Sequence, residues 1–85
     1  MRVEYRLTIT ATCPVDDKPD VYRMIVRATR TIKVEDILAA LAAETKVPCF
    51  QEDLTQRFHR SLACEVETRG WHSGVFTVVI CGRDE

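Results

Sequence analysis

The 85-residue sequence predicts one α+β domain with the order strand, strand, helix, helix, strand, strand. Three observations lead to this prediction. Two alternating segments open the chain, two segments with helical periodicity follow, and two short β-rich segments around a glycine-containing turn close it. We therefore expect a four-stranded antiparallel sheet with two helices on its apolar face, and a single domain over residues 1–85.

Strict alternation of apolar and polar residues marks the first hairpin. In residues 3–12 the apolar side chains lie at every second position, at Val3, Tyr5, Leu7, Ile9 and Ala11. Residues 21–32 repeat the pattern with Tyr22, Met24, Val26 and Ala28. The segment CPVDDKPD, residues 13–20, joins these predicted strands and is rich in turn formers.

A change of period indicates two helices in the middle of the chain. Residues 33–46 carry an apolar stripe at Val34, Ile37, Leu38, Leu41 and Ala42. Pro48 ends this helix, because the residue before a proline avoids the helical region. Residues 49–62 form the second helix, with Phe50, Leu54, Phe58 and Leu62 on one face. Glu52 and Asp53 make its opening turn acidic, as helix N-termini favour.

The second hairpin is predicted from residues 63–69 and 75–81, which flank GWHSG, residues 70–74. The two glycines of that segment predict the turn. His72 would then lie in the turn, and we interpret both His72 and His59 as surface residues.

Composition argues against several classes of protein. The formal net charge is −1, so no global positive field favours nucleic acid. The chain has no leader-like segment and no apolar run long enough for a bilayer, so we expect a cytoplasmic protein without a membrane partner.

The face of the sheet opposite the helices should be polar. It would carry arginines from the first hairpin and charged residues from the second, at Arg2, Arg6, Arg23, Arg27, Glu65, Glu67 and Arg69. A bare sheet with open edges in so short a chain favours association with copies of itself. We therefore expect a homo-oligomer, in which these side chains pair with one another or attract phosphate.

The four cysteines show no metal-binding spacing. They lie at Cys13, Cys49, Cys64 and Cys81, without a CxxC pair. We predict no metal site, and we interpret Cys64 and Cys81 as small buried hydrophobic residues. Cys13 differs because it starts the loop that Asp20 ends. From the residues alone, this pair is either a proline and Asx turn with an idle cysteine or a reactive thiol beside a carboxyl group.

A family resemblance bears on that choice. The element order resembles the tunnelling fold, whose members bind purine or pterin rings where subunits meet. Cys-Pro, four residues, then Pro-Asp resembles the first hairpin of the 7-cyano-7-deazaguanine reductase-like family. The stretches FQED, residues 50–53, and TRG, residues 68–70, resemble two further family motifs.

The resemblance implies roles for particular residues. Cys13 would attack the nitrile carbon of the base to give a thioimidate, and Asp20 would protonate the nitrile nitrogen. Glu52 would accept hydrogen bonds from the ring N–H and the exocyclic amine of the base. The remaining implied substrate contacts are Gln51, Arg69 and Gly70.

Two departures from the family pattern shape the expected reaction. Gln51 stands where the family has a histidine, and an amide cannot transfer protons as imidazole does. Residues 33–44 lack the lysine-containing motif that holds NADPH in the reductases. The chain therefore resembles more closely the shorter amidinotransferases of archaeosine synthesis, with no cofactor and with the base either free or within tRNA. A non-catalytic purine- or pterin-binding or assembly module is the alternative.

Overall fold

The computed structural model describes residues 1–83, which contain six helices and strands. The order is β-β-α-α-β-β, which confirms the predicted fold class. The elements are β1 (Val3–Thr12), β2 (Pro19–Ala28), α1 (Val34–Glu44), α2 (Gln51–Leu62), β3 (Glu65–His72) and β4 (Val75–Cys81).

The strands form one antiparallel sheet in the order β1-β2-β3-β4, so β1 and β4 are its edges. In the first hairpin Ala11 pairs with Asp20, and Cys13 follows directly at the end of β1. Between β2 and β3, Arg23 pairs with Arg69. These registers bring the end of β1, the start of β2 and the end of β3 to the same end of the sheet.

The core lies between the sheet and α2. Ile9, Tyr22, Met24, Val26 and Val66 project from the sheet, and Leu54 and Phe58 of α2 complete the largest buried group. Helix α2 contacts β3 and β4, whereas α1 packs mainly against α2. The predicted stripe of α1 is therefore only partly covered. Ile37 is buried, but Val34 and Leu38 remain 56% and 53% exposed.

The second hairpin differs from the sequence prediction. Its turn contains only Ser73 and Gly74, both with positive φ, at 49° and 83°. Two-residue turns of this kind match the right-handed twist of a hairpin. Gly70, Trp71 and His72 therefore belong to β3 and not to the turn. Gly70 suggested a turn, but the reason for a glycine here is the space beside Tyr22. A Cβ at position 70 would lie 2.5 Å from Cδ1 of Tyr22.

A network of ion pairs covers part of the open face of the sheet. Arg27 on β2 donates to Glu4 at 2.9 Å, to Glu65 at 2.8 Å and to Glu67 at 3.0 Å. Glu67 is 2% exposed and also accepts a hydrogen bond from Arg69. The predicted pairing of arginines with Glu65 and Glu67 thus occurs within one chain.

The part of that face on β3 and β4 next to the second turn is apolar, which corrects the expectation of a polar face there. Trp71, Phe76 and Val78 are 68%, 47% and 43% exposed on β3 and β4. They lie on the same face as Arg69, because Trp71 pairs with Phe76 and Arg69 with Val78. Within residues 1–83, neither helix has the length and apolar character needed to span a membrane.

Candidate functional site

The loop from Cys13 to Lys18 holds the Cys13 backbone by two hydrogen bonds. The N–H of Cys13 donates to the carbonyl of Lys18 at 2.9 Å, and the N–H of Asp17 donates to the carbonyl of Cys13 at 3.0 Å. Asp17 has a φ of 58°, a conformation that aspartate tolerates better than most residues. The Asp16 carboxylate accepts from the N–H of Lys18 at 3.0 Å. The tight loop therefore fixes where the Cys13 thiol lies.

Cys13, Asp20 and His72 converge at this end of the sheet. The Cys13 sulfur, a carboxylate oxygen of Asp20 and a ring nitrogen of His72 all lie within 4.8 Å of one another. Cys13 is buried, whereas Asp20 and His72 are half-buried. The sequence predicted the first two residues of this cluster, which we call the thiol cluster.

Tyr22 supports the thiol cluster from within the core. Its hydroxyl donates to Oδ2 of Asp20 at 3.3 Å, and its side chain is 1% exposed. Burial, together with the nearby Asp20 carboxylate, raises the pKa of the Tyr22 phenol well above its ordinary value. The hydroxyl therefore remains a donor and fixes the orientation of the Asp20 carboxyl group.

The surroundings of Cys13 separate it from the neighbouring Cys49. Two hydrogen bonds hold the pKa of Asp16 below its ordinary value, the larger effect coming from the Lys18 N–H and the smaller from the Cys13 thiol. The Cys13 thiol thus already has a polar partner. Burial raises the pKa of the Cys49 thiol, which disfavours the reactive thiolate there.

His72 is the cluster member that the sequence did not predict. It was interpreted as a surface residue of a turn, but it is the last residue of β3 and faces the same side of the sheet as Asp20. Ser-Gly after His72 was the signal that could have placed it, because a two-residue turn at 73–74 leaves position 72 in the strand.

The thiol cluster offers the donor types of a metal site, namely sulfur, nitrogen and oxygen. A metal ion there would require the thiolate of Cys13. The absence of a metal site stays a prediction from the cysteine spacing.

The start of α2 is attached to the same end of the sheet. The N–H of Cys49 donates to the carbonyl of Thr12 at 3.2 Å, beside Cys13. Glu52 lies in the first turn of α2 and is exposed. The predicted base anchor and the predicted nucleophile therefore belong to one end of the molecule.

Gln51 is directed inward. It is 1% exposed, and its Nε2 lies 3.1 Å from the carbonyl of Thr77 and 3.2 Å from that of Thr68. These bonds join α2 to β3 and β4, so within one chain Gln51 has a structural role. Among residues 1–83, no donor reaches its Oε1.

Arg69 and Gly70 contribute to a groove of about 730 Å³ on the open side of the sheet, beside Asp20. Trp71 and Phe76 line it as well, with ring centroids 5.2 Å apart. A groove with an aromatic wall and a guanidinium can hold a planar, polar ring. Gly70 itself is buried, and its backbone lies close to the Tyr22 ring.

Helix α1 does not suit a dinucleotide. Its first turn carries Glu35 and Asp36, and its last turn carries no basic residue. Two carboxylates at a helix N-terminus repel phosphate, so the start of α1 does not fit the phosphates of NADPH.

Comparisons with known proteins identify the fold. No family model and no curated protein match this sequence. Among solved structures, the crystal structure of the archaeosine synthase QueF-Like in the apo form is similar, with a TM-score of 0.83 and 13% sequence identity. The alignment covers 94% of this chain and 90% of that chain. The element order and this similarity together show that the chain has the tunnelling fold.

Proposed function

We propose that this chain is an enzyme of 7-deazaguanine tRNA modification, in which Cys13 attacks the nitrile carbon of 7-cyano-7-deazaguanine. One observation carries the proposal: the Cys13 sulfur and an Asp20 carboxylate oxygen, from the two ends of one loop, lie within 4.8 Å. The loop sequence resembles the nitrile-acting family, and the fold is that of a protein described as an archaeosine synthase.

The chemistry of the addition follows from the two side chains. The thiolate of Cys13 forms a bond to the nitrile carbon, and one π pair of the nitrile moves to its nitrogen. Asp20 supplies the proton for that nitrogen as a general acid. Because Tyr22 donates to Oδ2 of Asp20, Oδ1 is left to carry this proton. The product is a neutral thioimidate.

Amidine formation is the outcome that the residues favour. Ammonia would attack the thioimidate carbon, the carbon–sulfur bond would break, and the Cys13 thiol would be released. Reduction would instead need a hydride from NADPH, which the acidic start of α1 does not suit.

Glu52 would hold the base at the end of the sheet where Cys13 lies, whereas the aromatic groove faces the open side of the sheet and would contact other parts of a tRNA substrate. The exposed carboxylate of Glu52 can accept two parallel N–H bonds from a guanine-like edge. Trp71 and Phe76 offer surfaces for stacking, and Arg69 offers a cation for a phosphate of tRNA. The free base and base-modified tRNA are both reasonable substrates on this geometry.

A covalent adduct tests the proposal. With 7-cyano-7-deazaguanine, free or within tRNA, wild-type protein should gain the mass of the nitrile compound at Cys13 in intact-mass measurements. Cys13→Ala should abolish the adduct, because no other side chain of the thiol cluster can form a thioimidate.

Cys49→Ala is the matched control, since Cys49 is a second buried thiol at the same end of the molecule. It should retain the adduct, and Glu52→Gln should form it more slowly. Wild-type protein that forms no adduct with either substrate, but is stabilised by a purine or pterin, would support the non-catalytic alternative.

Assembly is a second part of the proposal. Within residues 1–83 the sheet has open edges at β1 and β4, and an exposed apolar patch of Trp71, Phe76 and Val78 lies beside the edge at β4. Exposed apolar groups of this kind favour contact with other protein surfaces. We propose a ring-shaped homo-oligomer that buries the patch and completes the base site, so that activity requires assembly.

Sedimentation velocity combined with ligand binding checks assembly. Wild-type protein should sediment as an oligomer, and Val78→Lys should shift it toward monomer and weaken base binding, because a buried charge opposes association. Val34→Lys places the same charge on the exposed face of α1 and should leave both measurements unchanged. A wild-type monomer that binds the base with full affinity would contradict the interface site.

A further inference from the structure

His72 lies beside the reacting groups, yet the addition described above gives it no role. One of its ring nitrogens is within 4.8 Å of both the Cys13 sulfur and an Asp20 oxygen. It is half-buried at the end of β3, and its backbone position is fixed by pairing with Val75 and by the two-residue turn that follows. Such a residue presents its imidazole to the cluster with little freedom.

The addition requires a group that removes the proton of the Cys13 thiol. Asp16, which is exposed and accepts a hydrogen bond from that thiol, is one candidate. An ordinary carboxylate is a weaker base than a thiolate by a factor of roughly 10⁴ to 10⁵, whereas an ordinary imidazole is weaker by only about 100-fold. Proton transfer to Asp16 would also leave no positive charge beside the sulfur.

We propose that His72 accepts the proton of the Cys13 thiol and thereby generates the thiolate that attacks the electrophile. The identity of the electrophile rests on the proposed function, but the proton transfer does not. An imidazolium beside the sulfur stabilises the thiolate, and this stabilisation grows as the proton moves.

The protons balance in this scheme. The S–H bond of Cys13 breaks and its proton goes to the ring nitrogen of His72. The sulfur lone pair forms the bond to the nitrile carbon, and the displaced π pair takes the proton of Asp20. The product state then holds an imidazolium and a carboxylate within 4.8 Å of each other, a favourable ion pair. His72 can return its proton to the sulfur when the thioimidate is cleaved.

Other candidate residues are already occupied. Gln51, at the position of the family histidine, is buried, and its amide donates hydrogen bonds to carbonyls of β3 and β4. His59 forms a 2.7 Å hydrogen bond through Nδ1 to the carbonyl of Cys64, which lies just before β3 and thus at the opposite end of the sheet. In this chain, therefore, the imidazole comes from His72 on β3, whereas in the family motif it comes from a histidine at the start of the second helix.

Alkylation of Cys13 by iodoacetamide tests the proton transfer without any nitrile. The rate at pH 7 is measured by peptide mapping, which separates Cys13 from the other thiols. His72→Gln should lower the rate at Cys13 about ten-fold or more, because an amide does not accept the proton. His59→Gln is the matched control and should alkylate at the wild-type rate. Equal rates at Cys13 in wild type and His72→Gln would overturn the proposal.

The nitrile arm separates the two proposals. Slow alkylation of His72→Gln together with no nitrile adduct in wild type would contradict the proposed substrate and support His72 as the general base. A nitrile adduct formed equally fast by wild type and His72→Gln would support the proposed substrate and overturn the role of His72 as general base.

A second measurement covers the case in which His72→Gln does not fold, as judged by circular dichroism. The ¹⁵N chemical shifts of the His72 imidazole in wild-type protein should change when Cys13 is replaced by alanine, and unchanged shifts would overturn the proposal. Purified wild-type protein carrying one zinc ion per chain, lost in Cys13→Ala, would also overturn it, because a metal-bound imidazole cannot accept the proton.

Discussion

Replacing Arg27 with Met should lower the free energy of unfolding by about 2–3 kcal/mol at pH 7. Arg27 donates to Glu4, Glu65 and Glu67, and its side chain is only 13% exposed. Met keeps most of the apolar stem but leaves the buried Glu67 carboxylate with Arg69 as its remaining ion-pair partner. In a domain of this size the loss corresponds to a decrease in Tm of about 10–20 °C.

The effect of Arg27→Met should depend on pH. Burial raises the pKa of Glu67, but hydrogen bonds from Arg69 and Arg27 outweigh burial and hold the pKa below its ordinary value. A carboxylate with a lowered folded-state pKa contributes stability above its unfolded-state pKa of about 4.3, and that stability is lost as the pH falls through the folded-state value. The wild-type and Arg27→Met stabilities should therefore converge below about pH 4.

Arg6→Met is the control for Arg27→Met. Arg6 pairs with Glu4, and its side chain is 71% exposed. Exposed pairs contribute little, so the change in unfolding free energy should stay below about 0.5 kcal/mol. Urea unfolding of both variants at pH 7 and pH 3 gives the comparison. An Arg27→Met loss that is equal at the two pH values would contradict the role of the carboxylates.

The first hairpin shows why much of this fold can be predicted from sequence. Alternation assigns each side chain of residues 3–12 to a face, and the predicted bounds of β1 are those of the structure. The loop fixes the register, in which Ala11 pairs with Asp20. A loop of fixed length therefore determines that Cys13 and Asp20 meet, and both were identified from the motif.

Residues whose position depends on distant packing could not be predicted in this way. Gly70 was interpreted as part of a turn because glycine usually marks one. The structure shows that a glycine stands at this position because the Tyr22 ring leaves no space for a Cβ. The misplaced turn put His72 on the surface. Nothing local to His72 indicates Cys13, which lies 59 positions earlier in the chain and approaches only through the order β1-β2-β3.

The roles of Gln51 and of α1 depend on tertiary structure in the same way. The substrate contact that the motif implies for Gln51 stays a prediction, and only the fold shows that its amide bonds to Thr68 and Thr77. The periodicity of α1 predicted a stripe but not its partner, and much of that stripe remains exposed. A helical pattern indicates which residues share a face, and only the packed structure shows what covers that face.

Gly70→Ala should destabilise the protein by about 2–3 kcal/mol, the upper part of the range for overpacking in a core. The added Cβ would lie 2.5 Å from Cδ1 and 3.0 Å from Cε1 of Tyr22, and 3.2 Å from the carbonyl of Val21. Tyr22 is 1% exposed and cannot move aside without displacing its neighbours. A shifted ring would also carry its hydroxyl away from Asp20, so Cys13 should form the nitrile adduct more slowly.

Gly74→Ala separates this steric effect from the general effect of replacing a glycine. An alanine Cβ at position 74 would meet nothing within 4 Å, but the φ of 83° disfavours any side chain and should reduce stability by about 1 kcal/mol. Gly70 does not have a positive φ, so the larger loss there must come from the clash with Tyr22. Thermal unfolding and adduct formation of the two variants should therefore differ, with Gly70→Ala losing more of both. Equal effects on both measurements would show that the Tyr22 contact does not hold Asp20 in place.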